Sequence, residues 1–176
     1  MMSTTTDTAQ KAEQEHRAAY LKAMRQVPGA VAIIACEHAG IRGGLAATAW
    51  TSVCADPPTM LVCVNTSASA HDALTSAEFF SISLLPADDV EPPAIFSGQR
   101  NLSGNDRFLP EAWYTGAAGQ PVLKRAPATF ECRRLDCHKY GTHTVLIGQV
   151  ENTGFQPACP GLLYVDGRYT SVKDFV

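Results

Sequence analysis

The sequence predicts a mainly β domain, an antiparallel barrel with a few peripheral helices. Short apolar runs typical of strands follow one another at close spacing, with turn sequences between them, and segments with a helical pattern are few. The 176 residues are 45% hydrophobic and 18% charged, which is ordinary for one globular domain with its own core. We therefore expect a single domain at residues 16–176, preceded by a polar, disordered lead at residues 1–15.

A helix and a hairpin begin the predicted order of elements. Good helix formers occupy residues 8–26, and the Val-Pro-Gly sequence at 27–29 ends this helix. Its apolar residues that are predicted to face a core are Ala19, Leu21, Met24 and Val27. An apolar strand at residues 30–36 then turns at residues 38–40 into a second strand. Asp-Pro-Pro at 56–58 ends that strand, because proline cannot donate to a strand ladder.

The next elements are two strands that flank a short helix. Residues 59–65 and 79–85 are apolar and rich in strand formers. Between them, residues 67–76 are predicted to form a helix with Ser67 or Ser69 as its N-cap. A further helix is expected within residues 87–96, where two prolines interrupt the pattern.

The last third of the chain is a long loop followed by strands. A loop as long as residues 97–119 tends to be functional in a compact domain. The remaining strands are predicted at residues 126–140, 142–152, 162–165 and 168–171. The alternation of apolar residues slips near residues 133–134, which predicts a bulge. Asp166-Gly167 is a strong signal for a tight hairpin.

Charge and composition exclude several classes of function. The formal net charge of −3 argues against a nucleic-acid binder that neutralises phosphates. No apolar run approaches the roughly 20 residues that span a bilayer, and the polar N-terminus lacks the apolar region of a signal peptide. We expect a cytoplasmic protein. Cys137-His138 is only a weak approach to metal-ligand spacing, so we expect no metal site and interpret the six cysteines mainly as small buried hydrophobes.

Residues 44–58, GLAATAWTSVCADPP, are unusually small and rich in hydroxyls for a strand. A strand loses bulk where another body approaches its backbone, so a flat ligand fits this segment. A second polar set, NTSAS, follows the next strand at residues 65–69. If the two strands pair, the sets converge on one place that suits an anion such as phosphate. The alternative is that both are solvated strand ends with an ordinary helix cap.

Several segments, in order along the chain, resemble motifs of one known family. They are GLAATAWTSVCADPP at 44–58, VCVNTS at 62–67, HDAL at 71–74, DRF at 106–108, GTHTVLIG at 141–148 and LLYVDGRY at 162–169. They resemble G-L-T-A-S-x-F-T-S-V-S-x-D-P-P, V-C-V-N-x-S with the H-D-A-L that follows it, D-R-F, G-D-H-T-L-F-V-G and P-L-L-Y-x-x-G-x-Y. The family is the flavin reductases of two-component flavin-dependent monooxygenases, and the similarity covers residues 20–170.

The resemblance implies a fold, a cofactor and a set of contacts. The fold would be the FMN-binding split barrel, of Greek-key type, in a homodimer with the flavin near the interface. The flavin would be FMN or FAD, and the co-substrate NADH or NADPH. Implied flavin or nucleotide contacts are Ala47, Thr48, Ala49, Trp50, Thr51, Ser52, Asn65, Thr66, Ser67, Ala68, His71, Arg107, Phe108, His143 and Tyr169.

Some of these residues carry specific implied roles. Residues 47–52 would hold the polar atoms of the flavin ring and the ribityl phosphate, and Asn65, Ser67 and Ala68 would bind phosphate or ribityl from the other side. Arg107 would lie near the phosphate or the second nucleotide. His143 would lie on the nicotinamide side and is the best candidate for a catalytic role.

Each of these assignments has a structural alternative. His143 could be a hydrogen-bonded structural residue, and Arg107 could pair with Asp106 in a solvated loop. Trp113 and Tyr114 could stack on a ring or pin the loop to the core. Apolar strand residues available for a dimer interface or for the core are Val31, Ile33, Leu61 and Val64.

The chain departs from the family motifs at four positions. Ala46 stands for the usual Thr, Trp50 for Phe or Val, Cys54 for Ser, and Thr142 for Asp. The changes at 46 and 54 each remove a hydroxyl. The change at 142 leaves His143 without a neighbouring carboxylate, so its protonation state is open.

The resemblance implies an NAD(P)H-dependent reductase that transfers hydride to FMN or FAD. The reduced flavin would then be supplied to a separate monooxygenase. Hydride transfer between these cofactors requires no catalytic acid or base. One alternative is a flavin-carrying electron-transfer module of the same fold without nicotinamide oxidation. Another is a split-barrel reductase of a non-flavin substrate, such as a corrinoid or a pyridoxine-phosphate-like compound.

Overall fold

The computed structural model describes residues 4–172 and confirms a mainly β fold with antiparallel pairing and a few peripheral helices. The helices are α1 (Thr4–Met24), α2 (His71–Ser76) and α3 (Glu91–Phe96). The strands are β1 (Gly29–Ala30), β2 (Ala32–His38), β3 (Ile41–Ala47), β4 (Trp50–Ala55), β5 (Pro58–Asn65), β6 (Phe79–Leu84), β7 (Trp113–Thr115), β8 (Pro121–Leu123), β9 (Ala128–Tyr140), β10 (His143–Phe155), β11 (Leu162–Val165) and β12 (Arg168–Ser171). A 3₁₀ turn covers Gly104–Arg107.

Seven strands form the main sheet, in the order β3-β2-β6-β9-β10-β5-β4. Strands β3 and β4 lie at opposite edges of this order, although only Thr48 and Ala49 separate them in sequence. The sheet must therefore curl until its two edges approach each other, which is consistent with a split barrel. The single strand predicted at residues 44–55 is in fact these two edge strands, with the small residues at the break.

Two hydrophobic cores lie on the two faces of the sheet. The core inside the barrel contains Ile34, Val62, Phe80 and Leu146, none of which is exposed. The outer core is formed by the other face of β2 under α3 and the β7–β8 hairpin, and it contains Ile33, Leu85, Phe96, Phe108 and Trp113. Strand β2 supplies both cores because successive side chains of a strand point to opposite faces.

Two local predictions, a hairpin and a β-bulge, are confirmed. Asp166 and Gly167 have φ angles of 47° and 79° and join β11 to β12 in a two-residue hairpin. The predicted bulge in β9 lies at Leu135, since Asp136 pairs with Ile147 while Arg134 pairs with the next residue, Gly148.

Helix α1 differs from its prediction at both ends and in its burial. It begins at Thr4, so it includes most of the segment expected to be a disordered lead, and residues 1–3 lie outside the described part of the chain. The residues expected to face a core, Ala19, Leu21, Met24 and Val27, are all exposed.

Helix α2 begins later than predicted and without the predicted serine cap. Its N-cap is Ala70, which makes no side-chain capping bond. Residues 65–69 instead form a turn held by the Asn65 side chain. Within residues 4–172, no helix combines the length and hydropathy that spanning a bilayer requires.

Candidate functional site

The small-residue segment lies where the barrel is split. Strand β4 pairs with β5, and the Cys63 N–H donates to the Ala49 carbonyl at 2.8 Å. The two strands therefore pair, which was the condition for the two polar sets to be neighbours, and Ala49 lies opposite Cys63, two residues before Asn65. As edge strands, β3 and β4 each leave one side unpaired with another strand of the described chain, which offers backbone groups to a ligand.

A cavity of about 270 Å³ opens at the end of β3. We call it the tyrosine cavity, and its lining residues are Val31, Ala46, Ala47, Thr48, Pro93, Ser97, Tyr164 and Tyr169. Ligand pockets start at about 300 Å³, so this cavity suits one ring system and not a whole dinucleotide. Small side chains on one wall and two aromatic rings on the other give it the shape of a slot for a flat ligand.

Close packing requires a glycine at position 44, two residues before the cavity wall. A Cβ at Gly44 would come within 2.8 Å of Phe96 Cε1 and 3.2 Å of the Phe108 ring, so α3 and the outer core press directly on β3. On the opposite wall, the rings of Tyr164 and Tyr169 lie 5.3 Å apart. Burial, and secondarily the proximity of Tyr164, raises the pKa of the Tyr169 phenol, which therefore stays neutral at physiological pH.

The polar turn, residues 65–69, is the second part of the site. Asn65 Oδ1 accepts hydrogen bonds from the backbone N–H and the hydroxyl of Ser67, both at 2.9 Å. Arg107 Nη1 donates to Ser69 Oγ at 3.4 Å, while its Nε donates to the Leu102 carbonyl at 2.8 Å. Within residues 4–172 Arg107 has no ion pair with Asp106. A guanidinium with neutral partners, beside hydroxyl and amide groups, suits an anion such as phosphate.

His143 lies directly beside the polar turn. It pairs across the sheet with Asn65, and it shares the outer face of β10 with Val145 and Ile147 as predicted. Its Nδ1 lies 3.1 Å from Thr142 Oγ1, so a hydroxyl occupies the place where the family motif has a carboxylate. His143 is exposed, so its Nε2 is available to a ligand beside the polar turn.

His71 is near the same corner, but both of its ring nitrogens are engaged. Nδ1 lies 2.9 Å from Asp72 Oδ1, and Nε2 lies 2.9 Å from Thr144 Oγ1. Direct contact with a flavin phosphate would require breaking one of these bonds. The structure thus favours a supporting role for His71 over the implied ligand contact.

Three of the implied contacts point away from the tyrosine cavity. The Trp50 side chain enters the barrel, where its Nε1–H donates to the Ala30 carbonyl at 2.9 Å and its ring packs near Phe130. Ser52 follows on the same face and lines a different cavity at the barrel end, while Thr51 lies on the opposite face. Alternation along β4 therefore places Trp50 and Ser52 on one face and Thr51 on the outer face, which it shares with Leu61 and His143.

Phe108 is enclosed rather than available to a ligand. Its ring contacts Phe96 and Trp113 edge to face at 5.2 and 5.0 Å, and 4% of the residue is exposed. Trp113 therefore pins the long loop to the core, which was the alternative to stacking on a bound ring. The D-R-F motif brings Arg107 to the polar turn because Phe108 anchors the loop.

Five residues that line the tyrosine cavity were not among the predicted contacts. They are Val31, Ala46, Pro93, Ser97 and Tyr164. Tyr164 could have been found, because it lies opposite Tyr169 in the predicted hairpin. Pro93 lies in α3 and Ser97 is its C-cap. The approach of α3 to β3 depends on the Gly44–Phe96 contact, for which the sequence carries no local pattern.

A second cavity of about 400 Å³, the helix cavity, adjoins the first. Both are lined by Thr48 and Tyr164, and the helix cavity adds Leu21, Met24 and Val27 from α1 and the segment after it. Within residues 4–172 no group of His, Cys, Asp and Glu side chains is arranged to hold a metal ion. His138, beside the weak Cys137 motif, bonds Asp136 at 2.7 Å.

Both the sequence and the fold of the chain are similar to those of known proteins. Residues 24–173 match the family model described as flavin reductase like domain. The FMN reductase (NADH) RutF of Variovorax paradoxus (strain S110) is 34% identical over 156 residues, which cover 89% of this chain and 86% of that protein. The NADH:FAD oxidoreductase SgcE6 of Streptomyces globisporus C-1027 has a similar structure, with a TM-score of 0.81, 26% identity, and coverage of 92% of this chain and 91% of that one.

A second structure of SgcE6, in complex with NAD and FAD fragments, is also similar. Its TM-score is 0.79 at 27% identity, and the match covers 92% of this chain and 94% of that one. The family model spans most of the chain, and the relatives align over nearly their whole lengths. This chain therefore belongs to the flavin reductase-like domain family.

Proposed function

We propose that this protein is an NADH-dependent flavin reductase that reduces FMN or FAD. The observation that carries the proposal is the tyrosine cavity, where the small-residue end of β3 faces the Tyr164–Tyr169 pair in a slot of about 270 Å³. The slot fits a flat ring system, and the adjoining helix cavity of about 400 Å³ leaves space beside it. The choice of NADH follows the curated relatives, which are named FMN reductase (NADH).

The flavin ring would occupy the tyrosine cavity and its phosphate would bind at the polar turn. Support comes from the position of Thr48 and Ala49, which connect the cavity to the end of β5. Arg107, Ser67 and the backbone of residues 66–69 would hold the phosphate by charge and hydrogen bonds. His143 would hold the nicotinamide nucleotide from the side of β10.

A bound flavin supplies the acceptor for a hydride from the reduced nicotinamide, and the residues of the chain orient the two partners. The backbone N–H groups of Thr48 and Ala49 would stabilise negative charge on the ring, as donors in an oxyanion hole do. Tyr164 and Tyr169, which are 41% and 46% exposed, would shield the ring without closing it off. Such an open slot would let reduced flavin leave for a separate monooxygenase.

We propose in addition that the protein is a cytoplasmic homodimer. The outer face of β5 and β10 carries Leu61, Cys63, Val145 and Ile147, which are only partly buried and lie opposite one another in register. Of the four residues first considered for an interface, Leu61 alone belongs to this face. Val31, Ile33 and Val64 are buried in the protein's own cores.

NADH oxidation by the purified protein, with and without added FMN or FAD, tests the proposed function. Ala46→Leu fills the tyrosine cavity, and we expect it to raise the KM for flavin by about tenfold or more, since one bulky misfit costs over 1 kcal/mol. Ala12→Leu adds the same bulk on the exposed face of α1 and serves as the matched control. A yellow protein that leaves NADH untouched would indicate an electron-transfer module. A protein that binds no flavin would refute the proposal.

A further inference from the structure

A buried side-chain contact joins α2 to β10 beside the candidate site. His71, the first residue of α2, lies with Nε2 2.9 Å from Thr144 Oγ1, and Thr144 is 3% exposed. Asp72 Oδ1 lies 2.9 Å from the other ring nitrogen, Nδ1. A carboxylate only accepts hydrogen bonds, so Nδ1 donates to Asp72, and in the tautomer with its proton on Nδ1 the ring accepts at Nε2 from the Thr144 hydroxyl.

A second pair of hydrogen bonds joins the other end of the polar turn to the residue before His143. The Thr66 N–H and the Thr66 hydroxyl both donate to the Thr142 carbonyl, at 2.9 and 3.1 Å. Thr142, in the turn before β10, and Thr144, on β10, flank His143. The segment from 65 to 71 is therefore bonded to the chain on both sides of His143. Thr66 bonds Thr142 on one side, and the His71 side chain bonds Thr144 on the other.

Fixing Thr144 constrains the ring of His143 through the backbone. Adjacent residues of a strand point to opposite faces, so holding Thr144 on the inner face sets the angle at which His143 leaves the outer face. His143 is exposed, and its ring forms a hydrogen bond with the Thr142 hydroxyl. Its orientation therefore depends on how firmly its two neighbours are held.

We propose that His71 is a positioning residue that acts through Thr144 to orient His143 for the nicotinamide nucleotide, and that it makes no contact with the flavin. This inference rests on the proposed reductase function. In this proposal Asp72, His71 and Thr144 do not touch the ligand. They hold His143, which does, in the orientation that binding requires.

Four single variants test the proposal. Thr144→Val removes the hydroxyl at nearly constant volume, and His71→Ala removes the acceptor. His71→Gln offers an amide oxygen near the position of Nε2 and should restore the bond. Thr59→Val is the matched control, because Thr59 is also a buried threonine of the same sheet, 6% exposed, whose hydroxyl donates one bond at 2.8 Å, to the Pro57 carbonyl.

We expect Thr144→Val and His71→Ala each to raise the KM for NADH about five- to tenfold, the value of one hydrogen bond, with kcat and the KM for flavin within about twofold. The double variant should resemble either single variant, because both break one contact. His71→Gln should return the KM for NADH to within about twofold of the wild type. Thr59→Val should lower the melting temperature without changing any KM.

Two measurements on the flavin-free protein do not depend on turnover. The dissociation constant for NAD⁺ should rise in Thr144→Val and His71→Ala by the same factor as the KM for NADH. The ring C–H resonances of His143 should shift in these two variants, return in His71→Gln and stay unchanged in Thr59→Val. An unchanged His143 spectrum would overturn the proposal even if the wild type oxidised no NADH.

Kinetic outcomes separate this inference from the proposed function. If the wild-type protein does not oxidise NADH, the proposed reductase function is wrong. The variants do not test that function. If His71→Ala raised the KM for flavin instead of NADH, His71 would be a flavin contact and the positioning role would be wrong. If Thr144→Val only lowered the melting temperature, as Thr59→Val does, the contact would be purely structural.

Discussion

The buried carboxylate of Glu131 provides a quantitative test of the fold. Glu131 lies on β9 with 4% of its surface exposed, and three N–H groups donate to it. The Ala117 backbone and the Gln120 amide donate to Oε2, the former at 2.9 Å, and the Asn152 amide donates to Oε1 at 2.8 Å. One carboxylate thereby ties together the β7–β8 hairpin, β9 and β10.

Glu131→Gln replaces one acceptor oxygen with an NH₂ group that faces a donor in either orientation of the amide. At least one buried donor loses its partner, and two do so if the NH₂ takes the place of Oε2. With about 1–3 kcal/mol for each unsatisfied group, we expect the free energy of unfolding to fall by about 2–3 kcal/mol. In a domain of this size that lowers the melting temperature by about 4–12 °C.

Urea and thermal unfolding of the two neighbouring glutamate variants provide the assay. Glu151→Gln is the control, since Glu151 is half-exposed and its carboxylate pairs with Arg133 at 2.6 Å on the surface. An exposed ion pair contributes about 1 kcal/mol or less, so this variant should be nearly as stable as the wild type. Equal losses in the two variants, or a loss below about 0.5 kcal/mol for Glu131→Gln, would refute the reasoning.

Two further predictions concern the wall of the site and the buried thiols. Gly44→Ala brings a Cβ within 2.8 Å of the Phe96 ring, so we expect a loss of about 1–3 kcal/mol in urea unfolding and a raised KM for flavin; unchanged values for both would contradict the packing argument. Burial raises the pKa of Cys36 to about 11 and that of Cys132 to about 12. The unfolded chain therefore releases these protons first as pH rises above 9, and stability falls with pH. Cys132→Ala should flatten this fall in urea midpoints measured at successive pH values, and an unchanged slope would contradict it.

Local signals made most of the strands and turns predictable. Asp166-Gly167 determines its hairpin because both residues accept a positive φ. The alternation in β9 located the bulge to within one residue of Leu135. The break at Thr48 and Ala49 was not predictable, because residues 44–55 are uniformly compatible with one extended strand. Only the closure of the sheet, a long-range property, separates them into two edges.

The site was predictable where it follows the backbone and not where it depends on side-chain direction. Asn65, Ser67, Arg107 and His143 come together because they follow paired strands or an anchored loop. Trp50 lies in the same motif, but its side chain faces the barrel interior, and a one-residue step along a strand reverses direction. The exposure of α1 was also missed, since an apolar pattern shows which residues could pack and not whether the rest of the fold lies against them.

The rate of NADH oxidation on addition of FMN to the purified protein tests the central claim most directly. The account predicts oxidation that depends on added flavin, saturates with its concentration, and shows a KM for flavin that rises in Ala46→Leu and not in Ala12→Leu. Oxidation that is absent with both FMN and FAD, or that is unaffected by filling the tyrosine cavity, would contradict it.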